Sequence, residues 1–178
     1  QVGQPVGLMY GFVTDGFYKI DEFDYNTTTS VYTIKPGIAA NGVYGAPQPG
    51  SLKWKDLNGD GVITADSDRQ IIGNANPKFT GGWSNQLTYK SFDLSVFVNF
   101  VVGNDIYNAN KLEWTDGAFP NLNTLEIVKN RFTYINSAGV RVTDPIELEK
   151  MNANAEIWTP VRVQRWWLHS WAIEDGSY

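Results

Sequence analysis

A chain of 178 residues, 42% of them apolar, has enough material for one hydrophobic core and does not require two. Its 14 basic and 19 acidic side chains give a net charge of −5, and no basic cluster or basic amphipathic helix occurs, so nucleic acid is a poor partner. The lack of cysteine excludes disulfide staples, zinc fingers and thiol catalysis, and no apolar run reaches the ~20 residues of a membrane-spanning helix.

No basic start followed by an apolar stretch marks a signal peptide. A first residue Gln1 and a last residue Tyr178 fit an excerpt of a longer protein. Aromatic residues make up 14% of the chain, many of them among Gly, Asn, Thr and Ser, which suits β-structure with wet loops. From Gly7 to Phe23 the segments Met9-Tyr10-Gly11-Phe12 and Asp15-Gly16-Phe17-Tyr18 read as a strand breaking into turns.

Residues 35–78 are polar and rich in Gly, Asn and Pro, and they hold the most specific motif, Asp56-Leu57-Asn58-Gly59-Asp60-Gly61-Val62-Ile63-Thr64. Oxygen side chains at alternate positions followed by glycine are what a calcium ion asks of a short loop. Asp56, Asn58 and Asp60 would turn side-chain oxygens to one centre, Gly61 would allow the sharp turn, and Val62 would offer its carbonyl, with Thr64 at the next alternate position. Ile63 would fix the loop to an apolar surface. The twelfth position, where a bidentate carboxylate closes the sphere, is Ser67, flanked by Asp66 and Asp68. Asp68 is the first choice for closure and Asp66 the second. An Asx-rich turn that satisfies only its own backbone remains the competing reading. The flanks carry no helical stripe: Gly50 to Lys55 alternates, and Gln70 to Asn74 is cut short by Gly73 and Pro77, so the loop is not a complete EF-hand.

Between Phe79 and Val102 two runs alternate strictly around the turn Lys90-Ser91. Phe79, Gly81, Trp83, Leu87 and Tyr89 share one face, broken by Asn85, and Phe92, Leu94, Val96, Val98, Phe100 and Val102 form an unbroken one. Period two of this length predicts a half-buried hairpin. A β-sandwich would hide such a face and an outer-membrane barrel would show it to lipid. A bilayer-crossing strand needs about 9–11 residues, against about 5–6 for a soluble one. Short turns at one end and long decorated loops at the other, here 35–78 and 103–160, belong to a transmembrane barrel.

Within 103–160 a short helix is predicted from Asn123 and Glu126 onward, covering Leu125, Ile127, Val128 and Phe132. A second is predicted at Asp144, with Asp144 as cap, Pro145 at the first helical position and Glu147 completing a capping box. Trp166, Trp167 and Trp171 are candidate substrate or lid contacts, though aromatic belts and cores use tryptophan equally. His169 has no companions for a nucleophilic triad, so an enzyme is the least supported class.

Taken in order, Val6-Gly7, Tyr10-Gly11-Phe12, Asp15-Gly16-Phe17, DLNGDGVIT, Ile71-Ile72-Gly73-Asn74 with Pro77, Leu87 to Leu94, Gly103 to Asn108 and Glu174-Asp175-Gly176-Ser177-Tyr178 give the chain a family look. It resembles the carboxy-terminal part of SusC/RagA-type TonB-linked outer-membrane transporters. The resemblance implies an all-β fold, part of an antiparallel transmembrane β-barrel whose long extracellular loops carry short helices and an EF-hand-like calcium loop. It implies import of glycans or peptides with a SusD-like surface lipoprotein and TonB coupling, in contact with outer-membrane lipid, and it includes no plug domain. In the family an acidic pair follows the Ile-Thr step, whereas Ala65-Asp66-Ser67-Asp68-Arg69 is one residue longer. The alternative is a soluble, calcium-stabilised carbohydrate-binding β-sandwich. A dockerin-like module would need a second calcium loop and flanking helices.

Overall fold

The computed structural model describes residues 3–117, 121, 123–160 and 167–178. In chain order the strands are β1 (Leu8–Phe12), β2 (Thr14–Phe17), β3 (Phe23–Asn26), β4 (Val31–Ile34), β5 (Ala40–Asn41), β6 (Leu52–Trp54), β7 (Val62–Ile63), β8 (Arg69–Asn74), β9 (Phe79–Tyr89), β10 (Phe92–Val102), β11 (Asp105–Tyr107) and β12 (Ile173–Asp175). Two short helices, α1 (Ala109–Glu113) and α2 (Pro145–Met151), lie between β11 and β12.

The alternation in 79–102 becomes the longest element. β9 and β10 pair antiparallel through every row from Phe92↔Tyr89 to Val102↔Phe79, and Lys90 takes φ 55° to make the tight turn. Because side chains alternate across a strand, one face carries Trp83, Leu87 and Tyr89 beside Phe92, Leu94, Val96 and Val98. The other carries Thr80, Ser84, Gln86 and Thr88 beside Asp93, Ser95, Phe97 and Asn99. Among the described residues no second sheet covers the apolar face: its exposure runs from 38% at Val96 to 81% at Phe92. Gly81 is required by a neighbour, since a Cβ there would lie 2.4 Å from the Phe100 ring, which also packs edge-on against Phe79 at 6.1 Å.

The remaining strands are short and pair two by two: β1 with β8, β2 with β6, β3 with β4 and β11 with β12, all antiparallel, and β5 with β7 in parallel. They enclose two aromatic cores. One gathers Phe12, Leu52, Trp54, Ile63, Ile157 and Trp158, with Phe12 stacked on Trp54 at 4.0 Å. The other gathers Tyr18, Phe23, Tyr32, Phe132, Val142 and Leu148.

Hydrogen bonds at the mouth of the hairpin show where these decorated segments begin and end. Ala75 N–H donates to the Gly7 carbonyl at 2.8 Å, and Val101 and Tyr178 exchange N–H to carbonyl bonds at 2.8 and 2.9 Å. The described parts of both loop bodies, before β9 and after β10, therefore leave from the end of the hairpin opposite Lys90-Ser91, and Tyr178 extends the sheet beside β10.

The helix predicted at Asp144 forms as α2: Asp144 Oδ1 accepts from Ile146 and Glu147 N–H at 3.1 and 3.0 Å, and Pro145 opens the helix. The helix predicted from Asn123 is instead a 3-10 turn over Glu126–Asn130, entered from Leu125 without a side-chain cap. Its β-branched and polar run is too short to propagate α-helix. No described helix is long and apolar enough to cross a membrane, which says nothing about strands. The described residues form no closed barrel.

Candidate functional site

The loop 56–68 sits between β6 and β8, so strands rather than helices carry it. Trp54 and Ile63, both fully buried in the same core, pin its two ends. β7 also ties it to β5, with Ala40 N–H donating to the Gly61 carbonyl at 2.9 Å and Gly42 N–H to that of Ile63 at 3.0 Å. Gly59 and Gly61 take φ of 74° and 84°, the left-handed turn the motif predicts.

Inside the loop each candidate oxygen is oriented by a backbone N–H. Asp56 accepts from Gly59 at 2.7 Å and Gly61 at 2.8 Å, Asn58 from Asp60 at 3.1 Å, and Asp60 from Val62 at 2.8 Å. Asp60 also accepts from the Asn58 amide at 2.8 Å, and that bond, followed by the one from Val62, holds its carboxyl below the usual carboxylate range. The structure thus brings Asp56, Asn58 and Asp60 into one turn beside Val62.

Asp68 ties the two ends of the loop together. Its fully buried carboxylate accepts from Leu57 N–H at 2.8 Å through one oxygen and from Thr64 N–H at 2.7 Å through the other, bridging the start and end of the loop. Thr64 Oγ1 accepts from Ser67 N–H at 3.3 Å, and Asp66 points into solvent. Among the described residues no three His, Asp or Glu side chains converge tightly enough to hold a metal by themselves. A calcium ion here would rely on the carboxylates of Asp56 and Asp60, the Asn58 amide oxygen and the Val62 carbonyl, with Thr64 and a carboxylate of Asp66 or Asp68 to complete an all-oxygen set of the hardness calcium prefers.

Trp166 lies outside the described residues. Trp167 and Trp171 are partly buried against the first core: Trp167 meets Phe12 edge-on at 5.7 Å, and Trp171 meets Trp158 at 5.0 Å. The Lys111 ammonium lies 4.5 Å above the Trp171 ring and pairs with Glu174 at 3.1 Å. The Trp171 ring thus packs against Trp158, His169 and Lys111. His169 is fully buried among Trp54, Trp158 and Trp171, its Nδ1 sharing a 2.8 Å hydrogen bond with Thr14 Oγ1. Burial, then the charge of Lys111, pulls its pKa down to about 4.

No family model matches the sequence. Among curated proteins, TonB-dependent receptor P3 of Formosa agariphila is 35% identical over 116 residues, 65% of this chain and 10% of that protein. The chain is similar to TonB-dependent receptors. P39 and P26 of the same organism are 35% and 37% identical over 126 and 71 residues, covering 59% and 40% of this chain and 12% and 7% of their own lengths. The chain spans about a tenth of the length of these receptors.

Proposed function

We infer that the chain is part of the barrel wall and surface loops of an outer-membrane active transporter of the SusC/RagA type. One observation carries this reading: the apolar face of a hairpin of two eleven-residue strands stays exposed while both loop bodies leave from one end of it. Eleven residues at ~3.3 Å each reach about 36 Å, which at the usual ~45° tilt spans the ~25 Å apolar band of an outer membrane. The similarity to TonB-dependent receptors agrees with it.

On this reading the turn Lys90-Ser91 faces the periplasm and both loop bodies face outward. They face a SusD-like lipoprotein and glycan or peptide cargo, and TonB supplies the energy. Asp56, Asn58, Asp60 and Val62 would hold a calcium ion that stiffens the 56–68 loop, with Thr64 and a carboxylate of Asp66 or Asp68 completing the set. Bound calcium would contribute fixed positive charge and rigidity. The residues themselves orient the oxygens and join the loop to the core through Ile63.

The test is uptake of a fluorescently labelled oligosaccharide or peptide pool by cells expressing the full-length receptor. Uptake should vanish on deletion of TonB and of the neighbouring lipoprotein gene. Uptake unchanged in both deletions would overturn the assignment.

A further inference from the structure

The chain contains two Asn-Gly dipeptides, Asn41-Gly42 and Asn58-Gly59. Asparagine is thermolabile because the next backbone nitrogen attacks its side-chain amide, and a following glycine, with no Cβ, leaves that approach open. Each Asn side chain bends forward over its own peptide in an Asx turn. Asn41 Oδ1 accepts from Val43 N–H at 2.9 Å, and Asn58 Oδ1 from Asp60 N–H at 3.1 Å. Their surroundings differ. Asn41 is 5% exposed, Gly42 N–H donates to the Ile63 carbonyl at 3.0 Å, and a Cβ on Gly42 would lie 3.0 Å from that same oxygen. The Gly42 nitrogen thus faces an acceptor unable to take its proton, in a site closed to water. Asn58 is exposed, a Cβ on Gly59 would meet nothing within 4 Å, and Gly59 N–H donates at 2.7 Å to a carboxylate oxygen, Asp56 Oδ1.

We propose that Asn58-Gly59 is a self-modification site, at which Asn58 loses its side-chain amide as ammonia with water as the only co-reactant. The Gly59 nitrogen forms a bond to Asn58 Cγ as its proton passes to the Asp56 carboxylate. Charge developing on Asn58 Oδ1 is met by the Asp60 N–H that already donates to it. The Cγ–Nδ2 bond then breaks, and the amide nitrogen, held by Asp60 Oδ2 at 2.8 Å, leaves as ammonia with the proton that Gly59 gave up. Water opens the resulting cyclic imide at either carbonyl. Attack at the side-chain carbonyl gives aspartate at position 58, and attack at the main-chain carbonyl gives isoaspartate. Both products place a new negative charge beside Asp56 and Asp60. Isoaspartate also adds an atom to the backbone within the span that Asp68 ties together. The reaction itself needs no calcium; that the added charge tightens calcium binding rests on the calcium reading above.

The test maps peptides of the full-length receptor by mass spectrometry, after incubation in detergent with EDTA at mildly alkaline pH in water enriched in heavy oxygen. The folded protein should convert Asn58 at least as fast as the urea-unfolded protein does, with heavy oxygen in the aspartate and isoaspartate formed there. Folding should slow Asn41 by roughly ten-fold or more, because its site excludes water. Asp56→Asn keeps a hydrogen-bond acceptor but no base, and should slow Asn58 by about ten-fold, short of the ~10²–10⁴ that an optimised base contributes. The Asn41 rate should stay low in that variant, which checks that the loop body is still folded. Asn58 slowed by folding as much as Asn41, or Asn58 converting as fast in folded Asp56→Asn as in the native protein, overturns the proposal. With EDTA present throughout, neither result touches the calcium reading.

Discussion

Replacing Asp68 by alanine separates a structural strut from a metal ligand. The carboxylate makes two charge-assisted bonds, to Leu57 N–H at 2.8 Å and Thr64 N–H at 2.7 Å, and such bonds contribute about 1.5–3 kcal/mol each. Both donors lie in partly exposed stretches and regain water when the acceptor goes, so the lower end applies, about 3 kcal/mol for the pair. At ~1.4 kcal/mol per decade this is about a hundred-fold loss of protection for the Leu57 and Thr64 amides. Hydrogen exchange on the full-length receptor, in detergent with EDTA, reads it directly. Asp68→Asn keeps one acceptor and should lose roughly half the effect on a logarithmic scale. Unchanged exchange in Asp68→Ala, together with loss of calcium binding, would refute the strut and make Asp68 a ligand instead.

Other consequences follow from the same packing. His169 is held neutral, its folded pKa of about 4 lying below the ordinary 6.5, so its contribution is fully present above pH 6.5 and is lost as pH falls towards 4. The loss approaches ~3 kcal/mol at about 1.4 kcal/mol per pH unit; tryptophan-detected unfolding at pH 7 and pH 4.5 should show it, and His169→Gln should remove most of it. Gly81→Ala drives a methyl into the Phe100 ring and should destabilise by about 1–3 kcal/mol in urea unfolding from detergent. Gly82→Ala, whose nearest contact is 3.6 Å, should cost far less, and equal effects would refute the ring-over-glycine account. Titration calorimetry with calcium should give heat for the native receptor and little for Asp60→Ala; identical heats would remove the calcium site.

The hairpin was legible because its signal is local: strict alternation fixes strand, face and register together, and the two-residue turn leaves no slack. The loop motif was legible for the same reason, since Asp56, Asn58, Asp60 and Gly61 act within one turn. Asp68 could be named as a closing residue, but its two backbone bonds depend on how the chain returns beside Leu57, which spacing alone does not encode. The decorated segments were harder. β3 with β4 and β5 with β7 are only two to four residues long and owe their existence to tertiary contacts around Tyr18, Tyr32 and Ile63. The burial of His169 and the Lys111 ammonium above Trp171 join residues far apart in sequence, and no pattern within either stretch announces them. The run from Asn123 looked helical by its cap and spacing, yet packing of Val128 and Phe132 settled for a single 3-10 turn.

The central claim is that the Leu94 face of the hairpin meets acyl chains and the Ser95 face meets water. The direct measurement places a nitroxide at each position in turn, in the full-length receptor reconstituted at one copy per nanodisc, and compares collision with lipid-soluble oxygen and with a water-soluble nickel chelate. The account predicts oxygen-dominated relaxation at position 94 and nickel-dominated relaxation at position 95. Nickel-dominated relaxation at both, or shielding of position 94 from both reagents, would contradict it.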